Sequence, residues 1–177
     1  MPPVPLIQIR SLRHGWPGLM LFDGLDVEIF PGLTLVTGDE GCGKSTLLRL
    51  LAREAPDRTC LQDLQDPALD QTRVDVLLDG VPGDWVDGFG LTAHRDKPLY
   101  MLSTGSRRKV GLCRTLISPA PVLLIDQPVA ALDPPSIRYL AERVTDRARR
   151  PGQAVVVADY EPPPGMDIDH TLTLPPR

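Results

Sequence analysis

The sequence predicts an α/β fold, a mostly parallel sheet flanked by helices with an antiparallel edge. Three observations carry that reading. Two apolar runs, Pro121 to Ile125 and Ala154 to Ala158, lack the alternation of a half-exposed strand. Strands covered on both faces look like this, and parallel sheets are covered on both faces. A third run, Leu33 to Thr37, leads into a glycine-rich turn and then an amphipathic stretch. Strand-like runs alternating with helix-like ones argue for parallel crossovers.

The elements follow in order. Leu6 to Arg13 and Leu25 to Phe30 alternate apolar and polar residues, as edge strands do, and Pro31-Gly32 turns the chain into the next strand. Thr46 to Ala55 is the first helix, Thr59 to Gln62 a short strand, and Gln65 to Arg73 a loop. Val74 to Leu78 starts a short helix, and Gly80 to Gly90 is weakly patterned. Ser106 to Ser118 is a helix with Val110, Leu112, Leu116 and Ile117 inward, and Pro135 to Arg149 is a helix with proline at its start. There are no internal repeats. The 177 residues suffice for one domain (1–177), with a compact helical lobe at about 72–118 and a flexible proline-rich end at 162–177.

Composition narrows the function classes. The net charge is −4, and the basic runs Arg107-Arg108-Lys109 and Arg147 to Arg150 are short enough to be solvated helix surface, so no nucleic-acid face is expected. No apolar run approaches the ~20 residues that span a bilayer. Cys42, Cys60 and Cys113 lack metal-ligand spacing and read as reduced thiols of a cytosolic protein.

Gly38 to Ser45 read Gly-Asp-Glu-Gly-Cys-Gly-Lys-Ser, which fits G-x-x-x-x-G-K-[ST] between a strand and a helix. Gly38, Gly41 and Gly43 let backbone N–H groups close around an anion, and Asp39, Glu40 and Cys42 complete the loop. The helix N-terminus adds positive potential. Lys44 reaches β- and γ-phosphates, the Ser45 hydroxyl offers a Mg²⁺ position, and Thr46 follows in the first turn. Asp126 closes the second apolar strand, where phosphate-loop proteins place a Mg²⁺ carboxylate.

Between these sites lies Leu102-Ser103-Thr104-Gly105-Ser106, ahead of a basic helix, and after Asp126 comes Ala131-Leu132-Asp133. In this order the motifs resemble an ATP-binding cassette (ABC) ATPase from Leu6 to about Glu161. Leu102 to Ser106 resembles the family signature Leu-Ser-Gly-Gly-Gln, Asp126 the Walker B aspartate, and Ala131 to Asp133 the D-loop. Gln65-Asp66-Pro67-Ala68-Leu69 resembles the Q-loop, which makes Gln65 a ligand of Mg²⁺ or of the attacking water. Trp16 or His14 stands where an aromatic ring stacks on adenine, and Trp16 has the larger π-face. Within the family, Ser118-Pro119-Ala120-Pro121 and Gly152 to Ala158 are similar to the small cassette of haem-exporter or cytochrome c maturation systems.

The resemblance implies ATP and Mg²⁺ as ligands. It also implies a homodimer, or a heterodimer with another ABC subunit, in which Ser103 and Gly105 meet the nucleotide of the partner and Asp133 lies at the interface. The further partner is an integral-membrane transporter subunit, and the location is the cytoplasmic face of the cell membrane. If position 104 required positive φ, Thr104 would strain the signature.

Two positions depart from the family. Gln127 follows Asp126 where a glutamate polarises the attacking water, and an amide cannot accept that proton. Asp159 stands where a switch histidine contacts the γ-phosphate, and an ionised carboxylate would repel it; Tyr160 becomes the donor if the alignment slips by one residue. Two losses together point to a naturally degenerate site rather than one introduced substitution. The expected function is therefore an ATP-binding transporter subunit with weakened hydrolysis. The alternatives are an ATP-dependent regulatory or binding module, the impaired half of a heterodimer, or a different phosphate-loop enzyme such as a small-molecule kinase.

Overall fold

A computed structural model describes residues 4–62 and 67–176. Strands β1 (Ile7–Trp16) and β2 (Leu19–Ile29) form an antiparallel hairpin. The main sheet holds β3 (Gly32–Thr37), β4 (Thr59–Leu61), β5 (Val122–Asp126), β6 (Ala154–Ala158) and β7 (His170–Thr173) in the spatial order β4-β5-β6-β3-β7, all parallel. Helices α1 (Lys44–Glu54), α2 (Val74–Leu77), α3 (Gly83–Gly88), α4 (Thr104–Ile117) and α5 (Pro134–Ala148) complete the fold.

The period of two along each strand divides the core into two layers. Leu33, Leu35, Leu123, Ile125, Val155 and Val157 face one cluster, which also takes up α4, α5 and the short helical lobe. Val36, Val122, Leu124, Val156 and Ala158 face the other, built from α1 and the hairpin residues Ile7, Leu12, Phe22, Val27 and Ile29. Val74, Leu77, Val86, Phe89, Leu91 and Leu99 of the lobe are buried in the first cluster, so the lobe shares its core with the sheet.

Several expectations change. The edge strands are longer than their alternation indicates and join through a turn at Pro17-Gly18, where Gly18 has a φ of 82°. The segment 162–177, expected to be flexible, carries β7, which runs alongside β3 with His170 opposite Thr34 and Thr173 opposite Thr37; its burial alternates, so it lacked the continuous apolar run of the inner strands. The basic runs are solvated only in part: Arg149 and Arg150 are exposed, but Arg107, Arg108, Lys109 and Arg147 are not. Arg147 is buried and donates to the carbonyls of Ser118 and Ala120, at 2.9 and 2.6 Å. Arg107 pairs with Asp70, and the Lys109 side chain, only 12% exposed, pairs with Asp133. Arg107, Lys109 and Arg147 each carry their charge to a carbonyl or carboxylate that sequence spacing does not reveal.

Candidate functional site

The loops that could carry chemistry leave the carboxyl ends of three adjacent strands, β5, β6 and β3. At the end of β3 the chain turns through Gly38 (φ 145°), Gly41 (φ 72°) and Gly43 (φ 103°). A Cβ on Gly43 would come within 2.8 Å of the Phe22 ring and 3.0 Å of Leu21, so glycine is required there both for φ and for room beneath the hairpin. Gly43 ends the loop as the N-cap of α1, and the Leu47 N–H donates to its carbonyl at 2.8 Å. The α1 N-terminus is thereby aimed at the loop's concavity.

Lys44 is buried. Its Nζ donates to the carbonyls of Gly38 and Asp39, at 2.7 and 2.9 Å, and sits 4.0 Å from the centroid of the Tyr160 ring. Cys42, also buried, lies beneath it, with Sγ 3.9 Å from Nζ. Asp39 and Glu40 face solvent.

Ser45, Asp126 and Gln127 line one cleft of about 350 Å³, together with Gln62, Thr104 and Arg108. The donor set fits a Mg²⁺ ion: one hydroxyl and one carboxylate, both hard oxygens, beside a loop that would hold phosphates whose oxygens, with water, supply the rest. Gln65 lies outside the described residues.

Gln127 is exposed and left-handed, with a φ of 46°. Few residues without a glycine's freedom take that conformation, and here hydrogen bonds enforce it. The Gln127 N–H donates to Ala158 at 2.8 Å, and its carbonyl accepts from Ala130 and Arg108. Arg108 also donates to the Asp126 carbonyl, so one guanidinium holds the turn that carries both residues. Burial pushes the Arg108 pKa down, while Asp126 and Asp159 push it up.

Asp159 follows β6. Its N–H donates to Val36 at 3.1 Å, and its carboxylate accepts from the Tyr160 N–H at 2.9 Å. The carboxylate serves its own turn, and the next side chain, Tyr160, is the one over Lys44. Trp16 is 51% exposed at the hairpin's end and meets His14 edge-on, ring centroids 5.2 Å apart. Both adenine candidates therefore stand on the hairpin whose Leu21 and Phe22 cover Gly43.

The signature residues form a second group. Ser103 is the N-cap of α4, and its hydroxyl accepts from the Ser106 N–H at 3.2 Å. Thr104 is the first helical residue and has no positive φ, so the feared strain is absent. A Cβ on Gly105 would stand 2.5 Å from the Ala131 carbonyl, which makes Gly105 the contact between α4 and the D-loop. Asp133 is the N-cap of α5, accepting from Ser136 at 3.0 Å and from Lys109. These bonds hold its carboxyl well below the usual carboxylate range, Lys109 contributing most.

The sequence pattern pointed to the loop, Ser45, Asp126 and Gln127, which the fold does bring together. It missed Arg108 and Lys109, whose only signal was a three-residue basic run.

This arrangement has counterparts. The ATP-binding subunit of an ABC transporter superposes with a TM-score of 0.75 over 86% of this chain and 78% of its own, at 15% identity, a likeness of fold. The cytochrome c biogenesis ATP-binding export protein CcmA of Pseudomonas syringae pv. syringae is 28% identical over 90% of this chain and 91% of its own. The CcmA protein of Zymomonas mobilis is 33% identical over 88% of this chain and 77% of its own.

The chain belongs to the CcmA family of ABC-type ATP-binding proteins.

No family model matches the chain. Among the described residues no helix is long and apolar enough to cross a membrane.

Proposed function

We propose that this CcmA-family chain is the ATP-binding subunit of a membrane export system, that it dimerises around ATP as a homodimer or heterodimer, and that its own site hydrolyses ATP slowly. The proposed location is the cytoplasmic face of the membrane, against an integral-membrane subunit. The observation that carries the reading is the contrast inside one cleft. Ser45 and Asp126 line it, ready for metal beside the phosphate loop that carries Lys44, while Gln127 offers an amide where a base would be needed.

The chemistry follows from the residues. Loop amides and the α1 N-terminus would hold the phosphates, and Lys44 has three donors, of which the two backbone carbonyls use two. Ser45 and Asp126 would hold Mg²⁺, which neutralises phosphate charge when bound. Gln127 would orient water through hydrogen bonds but cannot take its proton. In a dimer, Ser103 and Gly105 would offer the α4 N-terminus to the partner's nucleotide. Trp16 would stack on adenine.

ATP turnover of the chain and of Gln127→Glu, with oligomeric state followed in the same samples, tests this. The expected result is an ATP-dependent dimer with slow turnover, accelerated ~10²–10⁴-fold by the new base. Rapid hydrolysis by the unmodified chain overturns weakened catalysis. Slow turnover in both favours the second reading, a binding module or the impaired half of a heterodimer, which Asp159 supports because its carboxylate faces the same end of the sheet.

A further inference from the structure

His14 is half-buried on the hairpin, and no hydrogen bond or ion pair engages its imidazole among the described residues. The strand register fixes its place. His14 stands opposite Phe22, and residues directly opposite in an antiparallel pair send their side chains to the same face, with Cβ atoms about 4.5–5.5 Å apart. Phe22 is the residue whose ring covers Gly43 of the phosphate loop. Two residues beyond His14, Trp16 ends the strand. Gly15 between them leaves no room for a side chain: a Cβ there would overlap the Leu19 carbonyl and stand 2.9 Å from the Met20 Cα. The two strands close tightly at Gly15, and the rings that flank it meet with centroids 5.2 Å apart. Outward from the phosphate loop the order is Gly43, then Phe22 with His14, then Trp16.

We propose that His14 selects the sugar of the nucleotide, its imidazole hydrogen-bonding a ribose hydroxyl. The inference rests on the reading that phosphates occupy the glycine loop and adenine lies on Trp16. Ribose joins base to phosphate, so it passes the residue between those two anchors, and that residue is His14. The ring planes separate the roles of the two aromatic side chains, because they are inclined by 73°. A base lying flat on Trp16 is nearly perpendicular to the imidazole and cannot stack on both. His14 is left with its ring nitrogens, which in the neutral form supply one donor and one acceptor. A ribose hydroxyl answers either, being itself donor and acceptor. An imidazole already drawn half out of water, with neither nitrogen engaged, gains from such a partner what it would lose by staying unpaired. Stacking on Trp16 is tolerant of what is stacked, so discrimination between sugars falls to His14.

Calorimetric titration with a non-hydrolysable ATP analogue and with its 2′-deoxy and 3′-deoxy forms tests the assignment on the full chain, His14→Ala, His14→Gln and Trp16→Ala. The unmodified chain should bind at least one deoxy form ~10-fold more weakly than the ribose form, as when a hydrogen-bonding group is left without its partner. The form that loses affinity names the hydroxyl that His14 meets. His14→Ala should lose affinity for the ribose form and bring the three ligands within about twofold of one another. His14→Gln, whose amide also donates and accepts, should restore part of the preference. Equal affinities of the unmodified chain for all three ligands overturn the assignment. So does a His14→Ala protein that keeps the preference, including one that loses affinity for all three alike, which would make His14 the adenine platform. Trp16→Ala tests the reading underneath and should weaken all three ligands by a similar factor. If it does so while His14→Ala keeps the preference, only the role of His14 falls. If Trp16→Ala binds all three as tightly as the unmodified chain, the stacking reading itself falls.

Discussion

Arg108 shows how much of this site is decided by single side chains. Its guanidinium bridges the carbonyls of Asp126 and Gln127, and its charge lies near the carboxylates of Asp126 and Asp159. Removing it leaves two carbonyls of a left-handed turn without their donor. Arg108→Ala should therefore cost about 1–3 kcal/mol in urea unfolding and lower nucleotide turnover as well, since the same turn carries Gln127. Asp133 makes a different prediction. Its pKa is depressed by Lys109 and by Ser136, so its ionised form favours the folded state. That contribution is complete above the ordinary carboxylate pKa of about 4 and is lost as pH falls below it toward the folded value. Asn also caps helices, so Asp133→Asn isolates the charge. The gap in urea midpoint between the two proteins should be present at neutral pH and shrink on acidification below about pH 4. At this scale the sequence told only part of the story. The phosphate loop was legible because glycine, lysine and serine at fixed spacing have few other uses. Arg108, Lys109 and Arg147 were illegible because their partners lie 18 to 29 positions away in the chain.

At the scale of elements, α4 and the D-loop form one unit. Gly105 meets Ala131, and Lys109 pairs with Asp133 one helical turn further on. In Gly105→Ala the new Cβ would meet a backbone carbonyl at 2.5 Å, which no side-chain rotation relieves. The helix must then move off the loop. The expected outcome is a lower melting temperature and weaker ATP-dependent dimerisation by light scattering, with single-chain ATP affinity retained because the phosphate loop is elsewhere. The inner strands β5 and β6 were legible as unbroken apolar runs, since both their faces are covered. Strand β7 was not: it is an edge strand with half its residues exposed, amid prolines. The hairpin's extent was hidden for a related reason, because its outer residues pair with each other over a solvent-facing tip.

For the whole molecule, the two-layer core sets the stability scale. Leu124 is fully buried between α1 and the sheet, and Leu124→Ala should cost about 2–5 kcal/mol by calorimetry or denaturant unfolding. A ligand bound only by the folded state raises stability by mass action, about 2.7 kcal/mol at a hundredfold excess over Kd. ATP with Mg²⁺ should raise the melting temperature of the full chain, and Lys44→Ala should abolish that rise.

The sheet order has a further consequence for a chain emerging from a ribosome. Strands β3 and β5, which carry the phosphate loop and Asp126, never touch; β6 lies between them and is the later of the three to be made. Until residues 154–158 have left the exit tunnel, the two strands lack the neighbour that pairs with both, and α1 packed on β5 is what joins the two halves of the site. A nascent or truncated chain with an intact glycine loop would therefore display an anion-binding turn but an unfinished nucleotide site. Nucleotide would act as a late check on completed synthesis and not as an early template for folding.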